Sequence, residues 1–259
     1  MPEGDVLRRV ARRLTAALAD LPLMRSELRW PGASGIDLVG RTSLGTVSYG
    51  KHLLTRFDDG RTVHSHLRMD GRWLVHRTRM PPQPFGRPLV RAVLATERWT
   101  CVGDELGMLE VVRTRDERRL LGHLGPDLMA DDPDLARAAE NLRGQGGRAV
   151  GAVLLDQSVA AGIGTIYLAE TLWRHRISPW RPASGVEDPE SVYGTAAALM
   201  RQSADAPTLT ATGHRERPTP VHGRAGLLCH RCGSMIAVAP VGDPPYERPA
   251  FHCPACQPD

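Results

Sequence analysis

Four of the five cysteines fall in one pattern, Cys229-x2-Cys232 followed by Cys253-x2-Cys256, and nothing else constrains the chain as tightly. Two such pairs bring four thiolates to one ion, the donor set of a closed tetrahedral zinc site. Each pair makes a knuckle, and the residues between them fit a β-hairpin. Its predicted strands are Met235–Val238 and Tyr246–Phe251, with Gly242-Asp243-Pro244-Pro245 as the turn. Disulfides are the competing reading, but nothing else in the sequence implies an oxidising compartment. The expectation is one structural Zn2+ on Cys229, Cys232, Cys253 and Cys256. His230 and His252 stand beside the cysteines, but four thiolates already close the shell. Cys101, among apolar strand-like residues, reads as an inert buried thiol.

Ahead of this unit the hydrophobic pattern changes twice. Val6, Leu7, Val10, Leu14, Leu18 and Leu21 recur at helical spacing, which predicts a helix from about Gly4 to Asp20. Short β-type runs follow at 41–49, 52–57, 62–67, 71–76, 89–97 and 109–113, separated by Gly and Pro clusters as in a sandwich or barrel. Met80 to Pro88 carries too many prolines for a helix or central strand and reads as a loop. From Asp116 the spacing turns helical, including 135–142, 149–159, 165–174 and 191–202, and Thr208–Gly226 reads as a linker. The fold class expected is α+β. An N-terminal helix and β-sandwich span 1–116, a helical domain spans 117–218, and the cysteine hairpin spans 219–259.

The chain has 259 residues, enough for a sizeable core without covalent staples. Its longest apolar run, Ala149 to Leu155, is 7 residues, too short to span a bilayer. The opening Met-Pro-Glu-Gly-Asp lacks the layout of a secretion signal. A cytoplasmic bacterial-type protein with no membrane partner is therefore expected. The net charge is only +4, from 33 basic and 29 acidic residues. Of the basic residues 32 are Arg and one, Lys51, is Lys. A GC-rich coding sequence explains the bias, yet ammonium and guanidinium differ chemically, so the surviving Lys51 is notable.

Removal of Met1 would make Pro2 the first residue. Proline suits the first turn of a helix and Glu3 its positive end, which is a sufficient structural explanation. A chemical reading also exists. A terminal amine has a pKa about 2 to 3 units below that of lysine, so more of it is nucleophilic at neutral pH. A secondary amine attacking an aldehyde gives an iminium, an electron sink for elimination. Glu3 beside it could carry protons.

Several motifs occur in a fixed order: Pro2-Glu3-Gly4; Tyr49-Gly50-Lys51-His52-Leu53-Leu54; His66-Leu67-Arg68-Met69-Asp70-Gly71; His123-Leu124-Gly125-Pro126-Asp127; Leu154-Leu155-Asp156-Gln157; and Ala161-Gly162-Ile163-Gly164-Thr165-Ile166-Tyr167. The four-cysteine unit ending Cys253-Pro254-Ala255-Cys256-Gln257 completes the set. Together they resemble the formamidopyrimidine-DNA glycosylase/endonuclease VIII family over essentially the whole chain. The Pro-Glu-Gly opening and Gly103-Asp104-Glu105-Leu106-Gly107 are similar to the endonuclease VIII branch, in its second actinobacterial-type subgroup.

The resemblance implies a bifunctional glycosylase and abasic-site lyase of base-excision repair, acting on damaged DNA. Pro2 would attack C1′ and hold the sugar as a Schiff base, Glu3 would move protons, and Lys51 would bind phosphate near the lesion and aid catalysis. Successive β- and δ-elimination would then cut the strand. It also implies that the helical segment is a helix–two-turn–helix module. Gly164 and Thr165 in its turn, His66, and Arg248 in the zinc hairpin would contact the backbone. Met69, with Arg68 beside it, would fill the gap left by an everted nucleotide. Tyr167 and Glu170 match family positions on the second helix. A monomer is expected.

Three departures from the family pattern carry weight. The turn ends Gly164-Thr165 instead of Gly-Asn, so a shorter single donor replaces an amide. Residues 102–108 lack the Arg-Phe pair that fills the duplex gap in the formamidopyrimidine branch. That absence points to oxidised pyrimidines, or to single-stranded and open substrates. Val6 stands where many relatives carry a second acid, and Asp5 lies one position off, about 100° around a helix. These departures leave a rival reading, a catalytically weak or inactive relative that binds damaged or single-stranded DNA.

Overall fold

The first element is helix α1, Gly4–Leu18, whose buried face carries Leu7, Ala11, Leu14 and Leu18 at a helical repeat. The computed structural model describes residues 2–78 and 88–258, so the expected loop at 80–88 lies, apart from Pro88, outside the described residues. The chain divides into two compact units. One holds Pro2 and Val6–Gly122, and the other holds Glu3–Asp5 and the chain from His123 onward.

In the first unit α1 is followed by eight strands: β1 Arg25–Leu28, β2 Ser43–Tyr49, β3 His52–Phe57, β4 Arg61–His66, β5 Arg72–Arg77, β6 Val90–Ala95, β7 Trp99–Asp104 and β8 Met108–Arg113. They form two four-stranded antiparallel sheets, ordered β1-β6-β7-β5 and β2-β3-β4-β8, the expected sandwich. Alternation puts Leu53, Val63, Leu109, Trp73, Leu94 and Cys101 into a core shared with the α1 face. Trp73 on β5 donates its indole N–H to Ser65 Oγ on β4 at 3.2 Å, tying one sheet to the other. Cys101 is fully buried and its thiol is pushed up to about 12 by that burial, as expected of an inert cysteine.

Two strands depart from the sequence expectation. β1 has the polar sequence Arg-Ser-Glu-Leu, without alternation, and forms a sheet edge against β6. β7 lies between the expected runs 89–97 and 109–113 and passes through Gly103, a close-packing point. A Cβ there would sit 2.5 Å from Leu106 Cδ1. β7 therefore continues one residue past this glycine and gives way to a tight turn, Glu105-Leu106-Gly107, with Glu105 at φ +51°.

Helix α2 (Glu117–Leu121) closes the first unit. The helices of the second unit are α3 Leu135–Arg143, α4 Val150–Leu155, α5 Thr165–His175 and α6 Pro189–Asp205. Asp188 caps α6 by accepting the Ser191 N–H at 3.0 Å, with Pro189 at the first helical position. α4 ends with its apolar run at Leu155, four residues before the expected helix end at 159, because Asp156 Oδ1 accepts from both the N–H and the hydroxyl of Ser158 and turns the chain.

Strands β9 Ala237–Val241 and β10 Arg248–His252 complete the unit as an antiparallel hairpin. Relative to the expected strands, β9 is shifted toward the turn and β10 away from it. Met235 instead bridges Leu228 inside the knuckle, and Tyr246 belongs to the turn, its N–H bonded to Asp243 O. Pro240 and Pro249 lie opposite each other, tolerable because both strands of a two-stranded sheet are edges. Ile236, Val241 and Ala250 of the hairpin share one core with Leu168, Leu172 and Met200 of α5 and α6. Arg231 stacks 3.9 Å over Trp173 and donates to its carbonyl, fastening the first knuckle to α5.

Candidate functional site

The residues singled out by sequence fall into three groups. The first surrounds Glu3. Its carboxylate is 1% exposed and accepts backbone N–H groups from Gly164 at 2.7 Å, Ile166 at 2.8 Å and Tyr167 at 3.3 Å. These are the unsatisfied donors at the start of α5, where the helix dipole also favours a negative group. The approach requires glycine: a Cβ at 164 would come 2.4 Å from Glu3 Cδ. Gly164, expected from sequence to approach the DNA backbone, gives its N–H to Glu3 in this structure. Gly4 donates to Gly162 O at 3.0 Å, which fastens the segment a second time.

The turn itself is held by Gln157. Its amide donates to Ile163 O at 3.1 Å and its carbonyl accepts the Gly162 N–H at 3.0 Å. Gly162 has φ +121°, a conformation that favours glycine. Thr165 is half-buried at the first position of α5. Glu170 is fully buried, and its Oε1 accepts N–H groups of Val221 at 3.0 Å and His222 at 2.9 Å. It therefore ties α5 to the segment entering the cysteine unit. Burial pushes its carboxyl up to about 7.

The second group lies at one end of sheet β2-β3-β4-β8. Gly50 and Lys51 form the two-residue turn between β2 and β3, with Gly50 at φ +52°. Lys51 is 8% exposed, an unusual degree of burial for the only lysine. His52 pairs with His66 across β3 and β4, and His66 pairs with Met108 on β8. Burial first, then the charges of Lys51 and Arg68, hold His66 down to about 4, so it is neutral at pH 7. Its Nδ1 accepts the Arg68 N–H at 2.9 Å, which leaves the ring proton on Nε2.

Beyond His66 the chain turns sharply, with Arg68 at φ +53° and Gly71 N–H bonded to Leu67 O. Met69 rides this turn at 61% exposure, whereas Met129 and Met200 are core residues. A chain of bonds that sequence reading did not find runs along the same face. His64 Nδ1 donates to Glu110 at 2.8 Å, and His64 Nε2 lies 2.8 Å from His52 Nδ1. Glu110 reaches His64 only through the β4–β8 register, which sets the two residues opposite each other.

The third group is the cysteine unit. The four Sγ atoms of Cys229, Cys232, Cys253 and Cys256 lie within 4.8 Å of one another, with Cys232 and Cys253 at 3.4 Å. Tetrahedral thiolates about 2.3 Å from zinc are about 3.8 Å apart, so the four sulfurs fit a metal ion. Arg248 opens β10, exposed, with no carboxylate partner among the described residues. With Arg148, Asp156, Val241 and Tyr246 it lines a cavity of about 330 Å3. No helix among the described residues is long and apolar enough to cross a membrane.

Residues 1–123 match the family model for the formamidopyrimidine-DNA glycosylase N-terminal domain, and residues 124–211 match that for the formamidopyrimidine-DNA glycosylase H2TH domain. The "Probable endonuclease 8 2" of Streptomyces coelicolor is 44% identical over 99% of this chain and 94% of its own length. This chain belongs to the formamidopyrimidine-DNA glycosylase/endonuclease VIII family. Within that family it stands with the endonuclease 8 2 group. The "DNA-(apurinic or apyrimidinic site) lyase Nei2" of Mycolicibacterium smegmatis is 35% identical over 99% of both chains. The fold is that of a solved MutM bound to DNA containing carbocyclic 8-oxo-G, with a TM-score of 0.84, full coverage of both chains and 22% identity.

Proposed function

We propose that this family member is a bifunctional DNA glycosylase and abasic-site lyase of base-excision repair, with Pro2 as nucleophile. The observation that carries the reading is the cradle of three backbone N–H groups that buries the Glu3 carboxylate one residue from Pro2. A protein that only bound DNA would need phosphate contacts, not a carboxylate fixed beside a terminal amine.

Once Met1 is removed, the Pro2 nitrogen attacks C1′ of the everted nucleotide and the base departs with the glycosidic electron pair. The nitrogen loses its proton on addition. Glu3 carries that proton to O4′ as the ring opens, leaving C1′ as an iminium. The electron sink acidifies C2′, and loss of that proton expels the 3′ phosphate. Loss of a C4′ proton then expels the 5′ phosphate, and water releases the sugar fragment.

Lys51 holds backbone phosphate near the lesion, and Arg248 holds the phosphates beside the everted nucleotide. Neutral His66 donates Nε2–H to the backbone instead of pairing as a cation. The Gly164-Thr165 turn approaches phosphate less closely than a Gly-Asn turn would. Met69 fills the vacated stack with Arg68 next to it, offsetting part of an unstacking cost of a few kcal/mol. Cys229, Cys232, Cys253 and Cys256 hold one structural Zn2+, which fixes the hairpin that carries Arg248.

The substrate class is oxidised pyrimidines in duplex or single-stranded DNA. The short Glu105–Gly107 turn, without an Arg-Phe pair, supports that choice over purine lesions paired with cytosine. The protein acts as a monomer in the cytoplasm. The test is cleavage of end-labelled duplexes carrying either one oxidised pyrimidine or one oxidised guanine opposite cytosine. The expected product is a gap with phosphates on both ends, formed faster from the pyrimidine duplex. Intact strands throughout would overturn the enzymatic reading, and faster cutting at the guanine would overturn the lesion class.

A further inference from the structure

We infer that Asp5 is a positioning residue for Glu3, acting through the phenol of Tyr167 and the hydroxyl of Ser203; the inference rests on the catalytic reading of Glu3 given above. Asp5 is 4% exposed. Its Oδ2 accepts the Tyr167 O–H at 2.6 Å and the Ser203 O–H at 2.7 Å. Ser203, fully buried on α6, also accepts the Thr210 N–H at 3.1 Å. One carboxylate oxygen therefore gathers α5, α6 and the segment after α6 onto the N-terminal residues.

Tyr167 meets both acids. Its backbone N–H is the third donor of the Glu3 cradle, at 3.3 Å, while its side chain bonds Asp5. Tyr167 is itself 2% exposed, and its phenol is raised well above its ordinary value by burial and by Asp5, so it remains a donor. Beside the Gly4 bond to Gly162, the start of α5 and residues 3–5 are thus clamped together by two side chains that meet on Tyr167. Glu3 supplies one contact and Asp5 the other. Releasing Asp5 leaves two buried hydroxyls without an acceptor and removes the side-chain contact that holds Tyr167, one of the three Glu3 donors, in place.

The clamp needs an acceptor, not a charge. Both hydroxyls use Oδ2, and the amide oxygen of an asparagine can take its place. Asp5→Asn should therefore act like wild type where Asp5→Ala does not. The role is also specific to Glu3. Base release depends on Glu3 removing the amine proton as Pro2 adds to C1′, whereas a preformed abasic site already offers an aldehyde to the Pro2 amine.

The experiment compares single-turnover base release from an oxidised-pyrimidine duplex with borohydride trapping on an abasic-site duplex, at saturating enzyme. The variants are Asp5→Ala, Asp5→Asn, Tyr167→Phe, Glu3→Gln and the Glu3→Gln/Asp5→Ala double variant. Asp5→Ala and Tyr167→Phe should slow base release about tenfold while trapping stays within about twofold of wild type. Asp5→Asn should stay within about threefold of wild type in both assays. The double variant should be no slower than Glu3→Gln, since Asp5 acts through Glu3.

Wild-type base release in Asp5→Ala would overturn the inference, as would an equal loss of base release and trapping. If Asp5→Ala does not fold, Tyr167→Phe and Asp5→Asn decide: wild-type base release in Tyr167→Phe, or slowed release in Asp5→Asn, overturns it. Failure of the wild-type protein itself to trap would instead strike at the catalytic reading, so the two failures are distinguishable.

Discussion

Gly164→Ala is a one-carbon perturbation aimed at the Glu3 cradle. The φ of residue 164 is −129°, so the backbone accepts alanine without strain. The new Cβ, however, would lie 2.4 Å from Glu3 Cδ, 2.6 Å from Oε1 and 2.7 Å from Cγ. Ordinary contact begins near 3.4 Å, so the carboxyl carbon must retreat by about 1 Å. These atoms end a flexible side chain, and the fold should survive. Weakened N–H contacts to the carboxylate should cost about 1–2 kcal/mol, or about 2–8 °C in Tm. The catalytic cost is larger. A displacement of about 1 Å in a reacting constellation slows the step about 100-fold, equivalent to about 2.7 kcal/mol. The assay is single-turnover base release from an oxidised-pyrimidine duplex, with affinity measured separately by anisotropy. A folded Gly164→Ala protein releasing base at the wild-type rate would refute the cradle as catalytic. Loss of affinity with the saturated rate intact would instead return the Gly164 N–H to DNA phosphate.

Arg248→Ala should weaken DNA binding about tenfold and reduce the slope of log affinity against log salt by about 1, leaving base release at saturation unchanged; an unchanged slope means Arg248 touches no phosphate. Thr165→Asn should tighten DNA binding several-fold by restoring amide reach, and equal affinity would contradict that role for residue 165. His66 should show no protonation midpoint between pH 5.5 and 8 by NMR of its ring protons, since its folded value is about 4. An unfolded histidine takes up a proton near 6.5, so the stability His66 contributes is complete above that pH and lost as pH falls toward 4. A midpoint above 6 in the folded protein would contradict the burial assigned to it.

The sandwich strands were legible wherever alternation met a clear turn, as at His52–Phe57, which the structure reproduces residue for residue. Edge strand β1 was not, because Arg-Ser-Glu-Leu buries little and its place comes from pairing with β6. Strand β7 was not legible either, since a strand glycine that admits Leu106, as Gly103 does, looks the same in sequence as one that ends a strand. The cysteine spacing predicted the cluster, but the hairpin register comes from packing of Val241 and Ala250 onto the helical core. Pro2, Glu3 and Lys51 were legible as residue types in motifs. What they touch was not, because the bond from Gly164 to Glu3 spans 161 residues and that from Ser203 to Asp5 spans 198. Gln157 is likewise legible only as a motif residue until the turn folds onto it, and Glu110 is an unremarkable side chain until the β4–β8 register brings His64 to it.

Catalysis by the Pro2 amine is tested most directly by borohydride trapping of untagged protein, shown by mass to have lost Met1, on a duplex carrying one abasic site. The expected result is a covalent protein–DNA adduct whose mapped attachment point is the nitrogen of Pro2. DNA binding without an adduct, or an adduct mapped to Lys51, would contradict it.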